Sequence, residues 1–334
     1  MIVKKYYLWQ SSTWQRLMSD KKRLPHALLL RGQSGIGKLD FAISFAQALL
    51  CEQVNSAHQA CGACPSCGWF EQDNHPDFRL ISPEQDVSKD DEVSTKSTKK
   101  RTQIVIEQIR GLSDFLSLSS HKSDGLRIVA IHPAEGLNAA AANALLKMLE
   151  EPPPNVIFIL VAHQAHKILP TIMSRCQTID MPVPTTEDAL LWMKQEGIQS
   201  AEILLSYSGG APLMAVDEVE EGVLASFEIC KLLSFGAKSD IFQLSTACLV
   251  LGMENAINAL QKWSYDLLLF HFTQKVRYYQ NQEGAIKKLV QQLNLSQLLD
   301  FQKMLGDAKK SANHPLNSEL QLERLFLHYT QIFK

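Results

Sequence analysis

Over the first half of the chain the apolar residues fall into short runs. Residues 27–30, 126–131 and 156–161 are almost unbroken apolar stretches bounded by polar or turn residues. Runs of that length are too short for helices and predict strands buried on both faces. Residues 78–81 predict a further, shorter strand. Between these runs the apolar positions recur every three or four residues. Leu39, Ala42, Ile43, Phe45, Ala46, Leu49 and Leu50 mark one helix, and Ile106, Ile109, Leu112, Phe115 and Leu116 mark another. An alanine-rich helix over 138–151 is stopped by Pro152, Pro153 and Pro154, because proline lacks the N–H and clashes with the preceding turn. A short helix carrying Trp14, Leu17 and Met18 precedes the first strand, and another over 167–174 leads to Ser174-Arg175-Cys176. Strands alternating with helices predict a parallel sheet covered on both faces.

Past Pro182 and Pro184 the strand signal stops. Thr185 with Asp188 reads as a capping box opening a helix through Lys194, and Gly209-Gly210-Ala211-Pro212 separates two short helices. From about Val223 onward long amphipathic segments dominate, notably 256–272 and 320–333. The pattern therefore predicts three domains: α/β over 1–181, a small helical one over 182–222 and an all-helical one over 223–334. Residues 86–103 are Ser, Thr, Lys and Asp with almost no apolar position, which predicts a solvated insert.

The chain of 334 residues has a net charge of −2 and a pI of about 6.6. No global basic field draws it to nucleic acid, so any such contact would be local or shared with partners. No apolar run approaches the roughly 18 residues of a membrane span, and residues 1–9 lack the apolar core of a signal peptide. A cytoplasmic location is the expectation.

Gly32-Gln33-Ser34-Gly35-Ile36-Gly37-Lys38-Leu39 stands between the first predicted strand and the first long helix. The order strand, Gly-rich loop, helix is that of a phosphate-binding loop, in which backbone N–H groups and a Lys cradle phosphates and a following Ser or Thr holds Mg²⁺. Leu39 has no hydroxyl. A nucleotide hydrolase should also end a buried strand in acidic residues that hold the metal, and here the strand ends in Ile131-His132-Pro133. Gly32, Gly35, Gly37 and Lys38 thus form either a nucleotide cradle without its metal ligands or a strand-to-helix turn, and ATP occupancy stays open.

Of the seven cysteines, Cys51, Cys61, Cys64 and Cys67 lie within seventeen positions. Paired Cys-x-x-Cys steps let a tight turn present two thiolates to one tetrahedral ion, so the cluster predicts structural Zn²⁺. A ferredoxin-type run would carry another Cys after three intervening residues, where Glu71 stands. His58 and His75 are alternatives to Cys51 as fourth ligand. Cys176 lacks a His at catalytic spacing and reads as a small buried residue.

The run Asn138-Ala-Ala-Ala-Ala-Asn-Ala-Leu-Leu-Lys-Met-Leu-Glu-Glu-Pro-Pro153, then Phe158-Ile-Leu160 and Ser174-Arg175-Cys176, together with the cysteine module, resembles the AAA+ clamp-loader subunits of bacterial DNA polymerase III. The resemblance extends to Leu316-Asn-Ser-Glu-Leu-Gln-Leu-Glu-Arg-Leu-Phe-Leu327, which is similar to the end of the family's helical collar. It implies an α/β AAA+ P-loop domain with a parallel sheet, a helical lid and an all-α collar. It further implies a place beside gamma or tau and delta subunits, with the sliding clamp and primer-template DNA reached through the assembly and no membrane involved.

Leu39, His132-Pro133, Ala162-His163 and Leu213-Met214 depart from the family's ATP-hydrolysing members, so the resemblance points to a member without its own ATPase activity. Arg175 would then supply an arginine finger to ATP on the neighbouring subunit, a task suited to a planar, permanently charged guanidinium. The plainer role for Arg175 is to stabilise a helix end. Two rival readings are an active gamma-type ATPase using Glu135 in place of the acidic pair, and a zinc-centred module binding DNA through the cysteine cluster and Lys99, Lys100 and Arg101.

Overall fold

The computed structural model describes residues 6–83, 103–117, 125–217, 220–311 and 317–333. Residues 84–102, which hold nearly all of the expected insert and its Lys99, Lys100 and Arg101, lie outside them. The chain packs as two compact units, Met1–Asp188 and Ala189–Lys334.

The first unit is built on β1 (Ala27–Arg31), β2 (Phe78–Ile81), β3 (Arg127–Ile131), β4 (Val156–Ala162) and β5 (Gln177–Asp180). All pair in parallel, in the order β2-β3-β4-β1-β5. Ala27 lies opposite Phe158 and Arg127 opposite Val156. Successive side chains on a strand point to opposite faces, and that alternation splits the apolar runs between two cores. Leu29, Val129, Phe158 and Leu160 face α4 (Ile106–Ser117) and α5 (Ala139–Glu150), after α1 (Ser11–Ser19), α2 (Lys38–Leu50) and α3 (Pro65–Glu71) in chain order. Leu28, Leu30, Ile128, Ile159 and Val161 face α1 and α2, with Trp14, Phe41 and Phe45 filling the layer. A short α6 (Pro170–Met173) precedes β5.

The helix ends follow local chemistry. The Asn138 side chain accepts from the Ala141 N–H at 2.8 Å and starts α5, while Pro152 bars its continuation. β5 is the one strand of the sheet that the apolar pattern does not announce. It sits at an edge with only Ile179 buried, so four residues present one apolar position.

From residue 186 onward the described chain is helical: α7 (Thr186–Gln195), α8 (Ala201–Tyr207), α9 (Pro212–Asp217), α10 (Glu220–Leu233), α11 (Ile241–Leu251), α12 (Met253–Thr273), α13 (Glu283–Val290), α14 (Leu295–Ser311) and α15 (Ser318–Gln331). Thr185 Oγ1 accepts from the Asp188 N–H at 3.1 Å and opens α7 as the capping pattern predicts. One apolar cluster joins Met193, Leu204, Leu205 and Ala215 to Phe227, Leu260, Trp263 and Phe326. The segments expected as lid and collar therefore share a core. Among the described residues no helix is long and apolar enough to cross a membrane.

At the centre of that core Trp263 Nε1 donates to Tyr329 Oη at 2.9 Å, and the Tyr329 hydroxyl donates to the Leu233 carbonyl at 2.7 Å. Both side chains are inaccessible to water. Tyr329→Phe leaves a buried indole N–H and a carbonyl without that partner and is expected to cost about 1–3 kcal/mol. Chemical denaturation followed by tryptophan fluorescence checks it; an unchanged midpoint would remove the bond from the list of stabilising contacts.

Candidate functional site

The Gly-rich loop leaves β1 at Arg31 and enters α2 at Lys38. Gly35 and Gly37 have φ of 74° and 81°, a left-handed region that costs other residues strain. A Cβ on Gly37 would also lie 2.3 Å from Tyr7 Cε2. Gly32, Gly35, Gly37 and Lys38 thus share one tight turn at the mouth of α2, as the spacing predicts.

Lys38 is only 2% exposed. Its ammonium donates to the Gly32 carbonyl at 2.8 Å and to the Gln33 carbonyl, so it curls back onto its own loop. Burial pulls its pKa down to about 8, with the Glu135 carboxylate acting against that shift.

Beyond the ends of β3 and β4, His132 Nε2 lies 3.0 Å from His163 Nε2. One ring must donate and the other accept, because two protonated nitrogens would set N–H groups head to head. Burial lowers both pKa values, that of His163 to about 4, with Lys38 adding repulsion. The strand end where a hydrolase needs carboxylates for a metal therefore carries His132, paired with His163 from beyond β4, with burial disfavouring the charged form of both. Glu135, the acid of the rival ATPase reading, accepts from the His163 N–H at 3.0 Å and the Gln164 N–H at 3.1 Å. It braces the loop after β4.

Arg175 lies between α6 and β5, away from this turn. Its guanidinium donates to Glu150 Oε1 at 2.6 Å and to the Thr171 carbonyl at 2.9 Å, and its side chain is 34% exposed. Cys176 is half-buried, and burial raises its thiol pKa to about 11. It is protonated at neutral pH, as expected of a packing residue.

The cysteines come from three local structures. Cys51 caps the end of α2, Cys61 sits in the following turn, Cys64 caps α3 and Cys67 lies in its first turn. The four sulfurs lie within 4.8 Å of one another, with separations of 3.9, 3.9 and 3.8 Å for Cys51–Cys64, Cys61–Cys67 and Cys51–Cys67. A tetrahedron with M–S bonds of about 2.3 Å has edges of about 3.8 Å, so the set can hold one metal ion. The N–H groups of Ala63 and Cys64 point at Cys61 Sγ and lower its pKa to about 6, whereas burial raises those of Cys51 and Cys67.

Neither histidine is in this set. His75 Nδ1 accepts from the Asp77 N–H at 3.0 Å, which leaves its ring proton on Nε2, 2.9 Å from Ser66 Oγ. Both ring nitrogens are engaged in bracing α3. His58 lies in an exposed turn closed by Asn55.

The surroundings of the turn are less legible in the sequence. Tyr7, Trp9 and Gln10 all bond to it or to the start of α2 from some 26 to 33 positions away, and no local pattern signals such contacts. Glu150 as the partner of Arg175 is similarly remote.

His163 supplies a pH dependence. In the unfolded chain it titrates near 6.5 and in the fold near 4, so between those values the unfolded state binds more protons and stability falls as pH falls. Thermal unfolding measured from pH 7 to 4 is expected to show this loss, with a shallower slope for His163→Gln. Equal slopes for the two proteins would mean that the pair does not exclude protons.

The family described as DNA polymerase III, delta subunit, matches residues 9–185, more than half of the chain. The DNA polymerase III subunit delta' of Pseudomonas aeruginosa is 36% identical over 213 residues, 63% of this chain and 60% of that protein. That of Haemophilus influenzae is 35% identical over 202 residues, 60% of this chain and 56% of that protein. That of Escherichia coli K12 is 28% identical over 242 residues, 70% of this chain and 67% of that protein. The matches therefore span 60% and 56% of the length of the first two relatives. Taken with the parallel sheet, the turn and the cysteine set, they establish that the chain belongs to the DNA polymerase III delta-subunit family, alongside the subunits named delta'.

Proposed function

We propose that this chain works as a delta' subunit of the DNA polymerase III clamp loader, helping to place the sliding clamp on primed DNA without hydrolysing ATP itself. The observation that carries the reading is a division of labour within one α/β unit. The chain's own turn has Leu39 where Mg²⁺ needs a hydroxyl and His132-Pro133, with His132 paired to His163, where it needs carboxylates, while Arg175 stands partly exposed and bonded to Glu150 and to the Thr171 carbonyl. On this reading Arg175 reaches ATP bound to a neighbouring gamma or tau subunit. Its guanidinium stabilises the charge on the transferring phosphoryl group. Leu39 and His132 each remove a charge-assisted contact worth about 1.5–3 kcal/mol, which lowers intrinsic hydrolysis by orders of magnitude. The helical unit, with exposed Phe242 and Val250 on α11, is proposed to join the collar with the gamma or tau and delta subunits.

The purified chain is expected to show no Mg²⁺-dependent ATP turnover. In a loader reconstituted with clamp and primed DNA, Arg175→Ala is expected to lower turnover at the adjoining site by about a thousandfold, read as a partial loss in an assembly with other ATP sites. Turnover by the chain alone would return it to the ATPases. Unchanged turnover in the mutant assembly would remove the role in trans.

The ion held by Cys51, Cys61, Cys64 and Cys67 is proposed to be Zn²⁺, in a structural role. Four thiolates at tetrahedral spacing suit it, and a closed set leaves no open position for chemistry. Elemental analysis is expected to give one zinc per chain, and Cys67→Ser to lose the metal and lower the melting temperature. Iron, or no metal in a stably folded chain, would overturn this assignment.

A further inference from the structure

We propose that a cleft in the helical unit takes single-stranded nucleic acid, with bases stacked on Tyr265 and Tyr278 and phosphates on Lys262 and Lys309. The site is separate from the Gly-rich turn, the cysteine set and Arg175, all of which belong to the unit that ends at Asp188. It goes beyond the proposed role in trans and does not depend on it.

The cleft has a volume of about 710 Å³, in the range of sites that hold organic ligands. Its floor is the side of α12 that carries Asn255, Asn258, Gln261, Lys262 and Tyr265, positions three or four apart that share one helix face. At 1.5 Å per residue that stripe is about 15 Å long. α10 contributes Val223 and Ser226 to the lining, and α14 contributes Gln302 and Lys309. Among the described residues that line the cleft there is no Asp or Glu. In a chain with 35 acidic residues against 33 basic ones, a cleft with two lysines and no carboxylate selects for an anion.

The polar groups are set by their neighbours. On α14, Lys303 and Lys310 each pair with an acid three positions back, Asp300 and Asp307. Lys309 instead donates to Asn258 Oδ1 at 2.7 Å and to Gln261 Oε1 at 3.3 Å, neutral acceptors that do not cancel its charge. With their oxygens so engaged, both amides keep NH₂ groups to offer. Gln302 is turned the other way: its NH₂ donates to Ser264 Oγ at 2.8 Å, which leaves its carbonyl oxygen as an acceptor. Amide donors, an amide acceptor and ammonium groups together match base edges and phosphate oxygens.

The aromatic part of the lining decides which anion. Tyr265 is 37% exposed, and its ring meets that of Tyr278 edge-on at 5.6 Å. Lys262 Nζ lies 3.2 Å from the Tyr207 ring centroid and 5.8 Å from that of Tyr278, and Arg277 Cζ lies 5.5 Å from the latter. Tyr278 is held in place from beneath. The buried Asp266 carboxylate accepts from the N–H groups of Arg277, Tyr278 and Tyr279 at 2.9, 3.0 and 2.8 Å, and Ser206 Oγ donates to the Tyr278 carbonyl at 2.8 Å. Accessible rings beside cations are how proteins hold unpaired strands, because every base has a face to stack and every phosphate a charge to meet. A duplex keeps its bases stacked inside and would leave the rings unused, and an acidic peptide would use the lysines alone.

The test is the fluorescence anisotropy of a labelled oligothymidylate titrated with the full chain over a range of salt concentrations. Saturable binding that weakens with salt is expected. The variant Lys262→Gln/Lys309→Gln is expected to lower the slope of log affinity against log salt by about 1.4, at about 0.7 for each phosphate contact on a single strand. Tyr265→Ala is expected to weaken binding about fivefold or more with that slope unchanged, and Tyr265→Phe to bind like wild type. The altered side chains are exposed or half-buried, so the variants are expected to fold. Lys303→Gln/Lys310→Gln removes the same charge from outside the cleft and is expected to leave the slope as it was.

No saturable binding by the wild-type chain would overturn the proposal, as would equal slopes for the two double variants or a Tyr265→Ala chain that binds as tightly as wild type. Displacement of the strand by polyglutamate at matched charge would give the cleft to an acidic protein segment instead. Displacement by thymidine monophosphate at matched nucleotide concentration would give it to a free nucleotide, and either result would overturn the strand. These readings involve no ATP turnover and leave the role of Arg175 standing.

Discussion

A lysine ammonium with almost no access to water must be given acceptors, and the arrangement around Lys38 follows from that need. Leaving such a charge unpaired in the interior costs several kcal/mol. Two carbonyls of the loop meet the demand directly, and Glu135 supplies an opposing charge nearby. The same cation then dictates what else can sit there. Burial and the nearby cation hold His132 and His163 below the usual imidazole range, and their mutual hydrogen bond requires one of the facing nitrogens to be unprotonated. Replacing metal-binding carboxylates by imidazoles is thus more than the loss of a ligand. At the end of the sheet His132 bonds to His163 and Glu135 to the backbone after β4, where a nucleotide enzyme would need Mg²⁺ and phosphate.

The sheet makes this economy possible. Because the buried strands alternate side chains between two cores, β1 and β4 run side by side with nearly every position inaccessible, and their ends are fixed against each other. Glu135, just after β3, reaches the backbone beyond β4, so the loops at that end are tied across neighbouring strands. At the far end of α2 the cysteine set ties the helix terminus to α3. A metal ion there would hold Cys51 and Cys67 to a turn that has little apolar surface of its own, which is the usual need that structural metal sites meet.

How much of this was legible in the sequence depended on whether the signal was local. The runs at β1, β3 and β4, the stop at Pro152, the cap at Thr185 and the spacing of Cys61, Cys64 and Cys67 are written within a few positions, and the folded chain uses them as read. β5 was missed because an edge strand with a single buried residue has no pattern to show. The His132–His163 pair, the bond between Arg175 and Glu150, and the bonds of Tyr7 to Asp40 and of Gln10 to Gly37 join positions from 25 to 33 apart. Only the topology brings them together. The shared core of the helical unit is of the same kind: the change to long amphipathic segments near Val223 suggests a boundary, but Leu204 and Phe227 belong to one apolar cluster across it.

The surviving glycines show why motif remnants need a physical reading. Gly35 and Gly37 adopt left-handed backbone, and Gly37 has no room for a Cβ beside Tyr7. Each would be retained by the turn geometry alone, whether or not a phosphate ever enters. Lys38 likewise has two internal acceptors, the carbonyls of Gly32 and Gln33. Persistence of the glycines and lysine is therefore no sign of nucleotide binding, whereas Leu39 and the imidazole pair do speak to chemistry, because a strand-to-helix turn has no need of either. Arg175 is the converse case. Its pair with Glu150 is half-exposed, and an ion pair in that setting contributes little to stability, so the fold gains little from an arginine there. Its bond to the Thr171 carbonyl ties it to α6, and on the proposed reading a guanidinium the fold needs so little is the one offered to a neighbouring subunit.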